Sequence, residues 1–190
     1  MRREKMRVLI PLAEGFEEME AVIMLDVLRR AGLETVAAAA GDNLQVKASR
    51  GVRIVADALW ADLDPGDFDM LALPGGMDGT RRLQRDERLL QALRDFVAAG
   101  KPVAAICAAP LVLQTAGLLD SRCATCHPGV CEELSVPRRL DARVVEDGPV
   151  ITSQGPGTAF DFALALVRRL RGAETARKVA AELVLPPAAR

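Results

Sequence analysis

Short apolar runs alternate with longer amphipathic segments along this chain, and that alternation restricts the possible fold more than any other feature. The apolar runs predict strands at residues 7–13, 34–40, 68–73, 101–107 and 150–153. The amphipathic segments predict helices at residues 15–30, 87–99, 111–116, 158–170 and 174–183, with a polar hairpin at 45–55. Apolar strands joined by helices are typical of a parallel sheet covered on both faces. The sequence therefore predicts an α/β domain.

Size and charge exclude several classes of protein. A chain of 190 residues suits one domain, which we place at residues 6–185 with a tail at 186–190. The formal net charge is -1 and aromatic residues make up 3% of the chain, so neither a basic surface nor stacking side chains for nucleic acid are expected. The sequence shows no signal peptide and no apolar run of membrane-spanning length, so we expect a cytoplasmic protein without membrane contact.

Cys107 ends the apolar run 101–107 and is followed by the helical segment 111–116. A reactive side chain at such a strand-to-helix turn is exposed at the carboxyl edge of the sheet, the arrangement called a nucleophile elbow. The positive end of the following helix favours the thiolate and lowers the pKa of the cysteine. The alternative is a buried structural cysteine, because free cysteine is among the most buried residue types.

The turns that follow three predicted strands carry polar or glycine-rich segments, at residues 14–20, 75–76 and 107–108. In an open parallel sheet the ligand site lies beyond the carboxyl ends of the strands, so these segments are expected to face one crevice. A backbone N–H of the paired glycines Gly75 and Gly76, together with the N–H of Ala108, would form an oxyanion hole. An ordinary tight turn at residues 75–76 is the alternative.

Three glutamates, Glu17, Glu18 and Glu20, lie near the start of the first predicted helix. A carboxyl on the apolar face of this helix would have a raised pKa and would act as a proton donor or general acid/base. Acidic residues in a first helical turn also simply complement the helix dipole. Helical periodicity does not choose among the three.

Three of the four cysteines, at positions 123, 126 and 131, are clustered within nine residues around His127, the one histidine of the chain. The segment 123–127 has the C-x-x-C-H pattern of covalent haem attachment. We reject this interpretation because haem attachment requires an exported protein, and the sequence shows no signal peptide. The same residue types bind zinc, but their spacing is too compact for the usual separated ligand pairs. We therefore expect no metal site. His127 follows the strand-like segment 121–126, which would end at the same sheet edge as Cys107.

Several motifs in order along the chain strongly resemble the ThiJ/PfpI superfamily, in particular its protein deglycase branch. They are residues 15–21 (GFEEMEA), 26–32 (DVLRRAG), 49–51 (SRG), 73–76 (LPGG), 104–110 (AAICAAP), 127–128 (HP) and 152–158 (TSQGPGT). The resemblance implies a flavodoxin-like three-layer α/β/α sandwich with a mainly parallel sheet, of the class I glutamine amidotransferase-like type. Cys123, Cys126 and Cys131 do not belong to this motif set.

The resemblance also implies roles for individual residues. Cys107 corresponds to the nucleophile, Glu20 to a protonated carboxyl beside the sulfur, and His127 to a nearby histidine, while Gly76 and Ala108 match the backbone donors. Members of the family are described as glutathione-independent glyoxalases, as deglycases and as redox-responsive chaperones.

The leading hypothesis is a cofactor-free enzyme acting on methylglyoxal, glyoxal or their early adducts through a hemithioacetal on Cys107. The alternative is an oxidative-stress sensor or chaperone, in which Cys107 is oxidised without significant turnover. A flavin-binding protein is disfavoured because the loop at residues 13–18 is acidic where a phosphate would sit.

A homodimer is expected from the first helix and from the resemblance. Residues Ala21, Met24 and Leu28 form a second apolar stripe on this helix, beyond the one needed for packing on the sheet. The sequence therefore predicts a two-fold dimer that buries Met24 or Leu28, unless a neighbouring segment of the same chain covers them.

Overall fold

The computed structural model describes residues 5–186, which contain eleven strands and six α-helices. The strands are β1 (Arg7–Leu12), β2 (Glu34–Ala39), β3 (Gln45–Lys47), β4 (Arg53–Val55), β5 (Ala58–Leu59), β6 (Met70–Leu73), β7 (Val103–Ile106), β8 (Cys123–Ala124), β9 (Arg138–Arg139), β10 (Val144–Asp147) and β11 (Val150–Ser153). The helices are α1 (Glu18–Arg30), α2 (Met77–Leu83), α3 (Glu87–Ala98), α4 (Pro110–Thr115), α5 (Ala159–Arg171) and α6 (Ala173–Glu182).

Seven strands form one sheet in the order β10-β11-β7-β6-β1-β2-β5. Neighbouring strands are parallel except for the edge pair β10 and β11, which is antiparallel. Strands β1, β6 and β7 lie side by side in the middle of the sheet, so the turns that follow them meet at one edge. The expected mainly parallel α/β fold is confirmed.

The sheet is covered by helices on both faces because its central strands have no polar face. Every residue of β6 and β7 is buried. One core joins β1 and β7 side chains to α1 and α5, for example Met24 and Leu28 with Phe162 and Leu166. The other core joins the opposite face to α3 and α4. The three-layer sandwich follows from burial on both sides.

Several elements differ from the sequence prediction. The first helix begins at Glu18 rather than at residue 15, because Gly15 lies in a turn with φ 84° and the Glu17 side chain caps the helix. Helix α2 and strands β5 and β10 were not predicted, since each is short and carries little periodic signal. The strand expected at residues 121–126 is reduced to β8, which pairs with β9 in a separate small sheet.

The prediction that a dimer buries Met24 or Leu28 is wrong. Both side chains are 0% exposed within the single chain, because α5 packs against α1 and covers that stripe. The exposed apolar side chains of α1 are instead Met19 and Val22, at 55% and 48% exposure. Any apolar contact that α1 makes with a second protein must therefore involve the Met19 side of the helix.

None of the helices among residues 5–186 combines the length and the apolar composition that a membrane span requires. Residues 187–190 of the predicted tail lie outside the described residues.

Candidate functional site

Cys107 lies directly after β7, where the chain turns toward α4. Its backbone has φ 65°, a left-handed conformation that is unfavourable for a residue with a side chain. Two hydrogen bonds hold the strained turn: the Cys107 N–H donates to the carbonyl of Ser153 at 3.0 Å, and the Cys107 carbonyl accepts from the His127 N–H at 2.8 Å. The half-buried thiol is thus presented at the carboxyl edge of the sheet, as the nucleophile elbow predicts.

Gly75 and Gly76 bring the turn after β6 against this cysteine. A Cβ atom on Gly75 would lie 2.5 Å from Cβ of Cys107 and 2.9 Å from Oε2 of Glu20. A Cβ atom on Gly76 would lie 2.3 Å from the carbonyl oxygen of Gly15, and Gly76 has φ 87°. These two glycines therefore do more than form an ordinary turn, because no larger residue allows the three chain segments to approach so closely.

Of the three candidate glutamates, only Glu20 lies at the cysteine. Its side chain is 0% exposed, and its Oε2 accepts a 2.7 Å hydrogen bond from the Gly75 N–H. Glu17 caps α1 by accepting from the Glu20 N–H, and Glu18 accepts from the Ser49 hydroxyl and the Arg50 N–H. Within residues 5–186, the second oxygen of Glu20, Oε1, has no hydrogen-bond partner. Burial of this oxygen disfavours a negative charge on the carboxyl.

Burial controls the protonation of the two central groups. It raises the pKa of Glu20 from 4.5 to about 8, although the hydrogen bond from Gly75 acts in the opposite direction. Glu20 is therefore mostly protonated at neutral pH. Burial also raises the pKa of the Cys107 thiol to about 12, and the negative charge of an ionised Glu20 contributes to that rise.

The lowered pKa expected for the Cys107 thiol is therefore wrong, because burial raises the pKa instead. Hydrogen bonds from the N–H groups of Gly76 and Ala108 do lower the pKa of the thiol, but burial outweighs them. The repulsion from Glu20 acts only when that carboxyl is ionised. Protonation of Glu20 consequently makes the thiolate easier to form, and the two groups must be treated as a coupled pair.

His127 reaches the site from the segment that follows β8. The Thr125 N–H donates to Thr152 Oγ1 at 3.0 Å, which attaches this segment to β11. The exposed imidazole of His127 accepts a 3.0 Å hydrogen bond at Nδ1 from the Gly129 N–H. In the neutral ring the proton must then be on Nε2, which is a hydrogen-bond donor. A Cβ atom on Gly155 would lie 3.2 Å from Cδ2 of the ring, so this glycine makes room for His127.

The remaining cysteines are arranged differently from a metal site. Cys126 and Cys131 have their sulfur atoms 3.6 Å apart, and Cys123 is a separate half-buried thiol. Across the described part of the chain, no three His, Cys, Asp or Glu side chains are grouped so that they could hold a metal ion. The zinc alternative therefore has no ligand set among these residues.

The sequence indicates Gly75 only as part of a turn and Gly155 only as part of a motif, whereas the structure places them against Cys107 and His127, respectively. Their functions depend on side chains that approach from distant parts of the chain, and no local pattern in the sequence reports such contacts. The LPGG and SQGPG segments are the signals that pointed to them.

Comparisons with known proteins agree with this arrangement. A family model described as DJ-1/PfpI matches residues 6–169. Protein DJ-1 homolog B of Arabidopsis thaliana is 43% identical over 169 residues, which are 88% of this chain and 39% of that protein. The chain thus spans about two fifths of the length of that relative.

Two further relatives match over almost their whole length. The glutathione-independent glyoxalase DJR-1.2 of Caenorhabditis elegans is 36% identical over 187 residues, which cover 97% of this chain and 99% of that protein. The crystal structure of Drosophila melanogaster DJ-1beta has a TM-score of 0.91 and 39% identity, with 96% of this chain and 99% of that chain covered.

Proposed function

The chain belongs to the DJ-1/PfpI family, and on that premise we propose that it is a cofactor-free, cysteine-dependent glyoxalase or deglycase. Its substrates are methylglyoxal, glyoxal or the early adducts that these 2-oxoaldehydes form. The observation that carries the proposal is the proximity of the Cys107 thiol to the buried Glu20 carboxyl, whose pKa is about 8. A general acid/base works best when its pKa is near the working pH.

The first step joins the Cys107 sulfur to the aldehyde carbon of methylglyoxal. The new C–S bond forms as the thiol proton moves to the aldehyde oxygen, and the product is a hemithioacetal. The N–H groups of Gly76 and Ala108, which already donate to the sulfur, stabilise the negative charge that develops on this oxygen. The strained turn at Cys107 keeps the sulfur in position for the attack.

The second step moves a proton between adjacent carbons. Glu20 in its carboxylate form removes the proton from the former aldehyde carbon, which gives an enediol, and returns a proton to the neighbouring carbon. The hydroxyl proton on the former aldehyde oxygen passes to the neighbouring oxygen, so the former aldehyde carbon becomes the carbonyl of a thioester. Oε1 of Glu20 suits this role because, in the part of the chain described, no protein group occupies it. The Nε2–H of His127 assists by donating to the substrate oxygen.

Water then hydrolyses the thioester, releases lactate and restores the Cys107 thiol. The net change is the addition of one water molecule and the transfer of hydrogen from one carbon to the next. No external electron acceptor enters this balance, so the proposed chemistry uses neither cofactor nor glutathione.

A redox role is the second candidate function. Stepwise oxidation of the Cys107 thiol would place sulfinate oxygens among the same donors: the N–H groups of Gly76 and Ala108 and the protonated Glu20 carboxyl. Such a sensor or chaperone needs no turnover. A measurement of turnover therefore distinguishes the two functions, because both use the same geometry.

We propose a homodimer as the working form, with a location in the cytoplasm. Exposed Met19 and Val22 on α1 support the dimer, together with Val52 and Val55 of the neighbouring hairpin at 49% and 69% exposure. The hairpin connection is attached to α1 because Ser49 and Arg50 both donate to Glu18. Burial of these exposed apolar side chains against a second copy would remove them from water.

The decisive experiment measures lactate formed from methylglyoxal without glutathione, after treatment of the protein with a chelator. We expect many turnovers per chain, and a loss of about 100-fold or more in Cys107→Ala, with near wild-type rates in the matched control Cys123→Ala. Stoichiometric or absent lactate formation would overturn the enzymatic proposal. Selective addition of two oxygen atoms to Cys107 by peroxide would then support the sensor.

A further inference from the structure

The sulfur atoms of Cys126 and Cys131 lie 3.6 Å apart, and both thiols are free. The proposed reaction uses neither of them. A disulfide bond is about 2.05 Å long, so the two sulfurs need to approach by only about 1.5 Å to form one. Such proximity in a reduced protein marks a pair that can be oxidised without rearrangement of the fold.

Both cysteines belong to one short turn. Cys126 follows β8, and Cys131 ends the 3-10 turn Pro128–Val130 with its N–H donating to the Pro128 carbonyl at 3.3 Å. The Cys131 thiol also lies 3.6 Å from the His127 carbonyl oxygen. Because residues 127–129 are exposed, the turn can adjust while the buried end at Cys126 stays in place.

The two thiols differ in their access to solvent. Cys126 is 2% exposed, whereas Cys131 is partly exposed. Burial shields the Cys126 sulfur from an oxidant in solution, whereas the sulfur of Cys131 lies 3.6 Å away from it. An oxidant therefore reacts with Cys131 first, and Cys126 is positioned to react with the product.

We propose that Cys126 and Cys131 form a reversible disulfide, a second redox site distinct from Cys107, when a hydroperoxide oxidises Cys131. In the first step the Cys131 sulfur attacks one peroxide oxygen, the O–O bond breaks, and a sulfenic acid and one water (an alcohol for an alkyl hydroperoxide) are formed. In the second step the Cys126 sulfur attacks the Cys131 sulfur, the S–O bond breaks, and a second water leaves. Two thiols and one hydrogen peroxide thus give one disulfide and two water molecules, or one water and one alcohol when the oxidant is an alkyl hydroperoxide. Two equivalents of a small thiol reverse the reaction and leave as their own disulfide.

The disulfide acts on the active site through His127, which lies within the closed loop. The His127 N–H donates to the Cys107 carbonyl, and its ring accepts from Gly129, so a pull on this turn displaces the imidazole. This second part of the inference rests on the proposed function. The disulfide itself does not, so the two are tested by separate measurements.

The disulfide is tested in the double variant Cys107→Ser/Cys123→Ser, in which Cys126 and Cys131 are the remaining cysteines. After hydrogen peroxide and denaturation, we expect an intact mass lower by two hydrogens and loss of both iodoacetamide-reactive thiols, with recovery by dithiothreitol. The matched control Cys107→Ser/Cys131→Ser retains two thiols, at 123 and 126, and should show no reversible loss. The proposal is overturned if the pair gains oxygen without losing two hydrogens, if it forms cross-linked chains, or if the control behaves in the same way.

The effect on the active site is tested in protein that retains Cys107. Wild type and Cys131→Ser are treated with peroxide, and the turnover of methylglyoxal is measured before and after dithiothreitol. A fall in turnover that dithiothreitol restores in wild type, and that Cys131→Ser lacks, supports the coupling through His127. Disulfide formation with unchanged turnover would overturn the coupling and leave the disulfide established. Absence of turnover in the untreated protein would instead count against the proposed function.

Discussion

The N–H of Gly75 donates a 2.7 Å hydrogen bond to Oε2 of Glu20, across 55 positions of sequence. This bond holds the buried carboxyl at the sulfur of Cys107, in a gap where a Cβ on Gly75 would not fit. The pKa of the carboxyl, the packing of the glycine and the reactivity of the thiol are therefore linked. Three of the following predictions test these links.

Protonation of Glu20 should make the stability of the protein depend on pH. Its pKa is 4.5 ordinarily and about 8 in the fold, so between these values the folded protein holds a proton that the unfolded chain has released. The free energy of unfolding must then fall as pH rises through this window, by up to about 1.4 kcal/mol per pH unit. Glu20→Gln lacks this contribution. Denaturant unfolding of both proteins from pH 5 to 8 should show a difference that grows in favour of Glu20→Gln, whereas a constant difference would contradict the raised pKa.

Glu20→Gln should also abolish most of the turnover while the fold is retained. The amide keeps a neutral donor and acceptor but cannot accept a proton from carbon, so we expect a loss of about 100-fold or more in kcat. Lactate assays together with circular dichroism check the result. If Glu20→Gln retained wild-type activity, another group would have to be the acid/base, and His127 would be the first candidate.

The same substitution should make Cys107 more reactive at high pH. Above pH 8 an ionised Glu20 raises the pKa of the thiol, and glutamine removes that charge. At pH 9 we expect alkylation by iodoacetamide to be roughly threefold or more faster at Cys107 in Glu20→Gln. Mass spectrometry gives the rate, with Cys123 as the internal reference whose labelling should not change. Slower labelling of Cys107 would show that the carboxyl assists the thiolate even when ionised.

Gly75→Ala should disrupt the site and the fold together. The added Cβ would meet Cys107 at 2.5 Å, so the turn after β6 has to move, at a cost of about 1–3 kcal/mol or more. Gly41→Ala is the matched control, because a Cβ there meets no atom within 4 Å and Gly41 has no positive φ. Thermal unfolding should separate the two variants clearly. Equal melting temperatures would mean that the close approach of Gly75 and Cys107 is not required.

The exposed part of α1 should control assembly. Replacing Met19 and Val22 together by glutamate puts charge on the proposed dimer surface, and light scattering at micromolar concentration should then report one chain instead of two. Val184→Glu, at a side chain that is 89% exposed, is the control and should leave the mass unchanged. Leu28→Glu does not test the dimer, because Leu28 is buried within its own chain and the charge should unfold the protein. A monomeric wild type would refute the dimer.

Local patterns in the sequence predicted much of the architecture. Apolar runs located the central strands β1, β6 and β7, and the order of strands and helices predicted the mainly parallel sheet. The position of Cys107 between a strand and a helix predicted the elbow. These features depend on neighbours along the chain, and for that reason periodicity reports them.

Periodicity did not distinguish Glu20 from Glu17 and Glu18. It also predicted that a second chain covers Met24 and Leu28, whereas α5 of the same chain covers them. The resemblance to a family singled out Glu20, and the tertiary structure shows why its environment differs: Gly75 binds its carboxyl, while Glu17 caps the helix and Glu18 binds the hairpin connection. Likewise the cysteine cluster was visible in the sequence, but not the 3.6 Å approach of Cys126 to Cys131.

The sequence by itself determined which positions are apolar, where the chain turns and which residue occupies the elbow, because these depend on local pattern and residue chemistry. Only the tertiary structure decided which carboxyl is buried beside Cys107, which helix covers the second stripe of α1, and which two thiols face each other. A pKa, a buried stripe and a thiol pair all depend on groups that packing brings together from other segments or across a folded turn. Burial by those groups removes water from a side chain, and no local pattern records which group will do so.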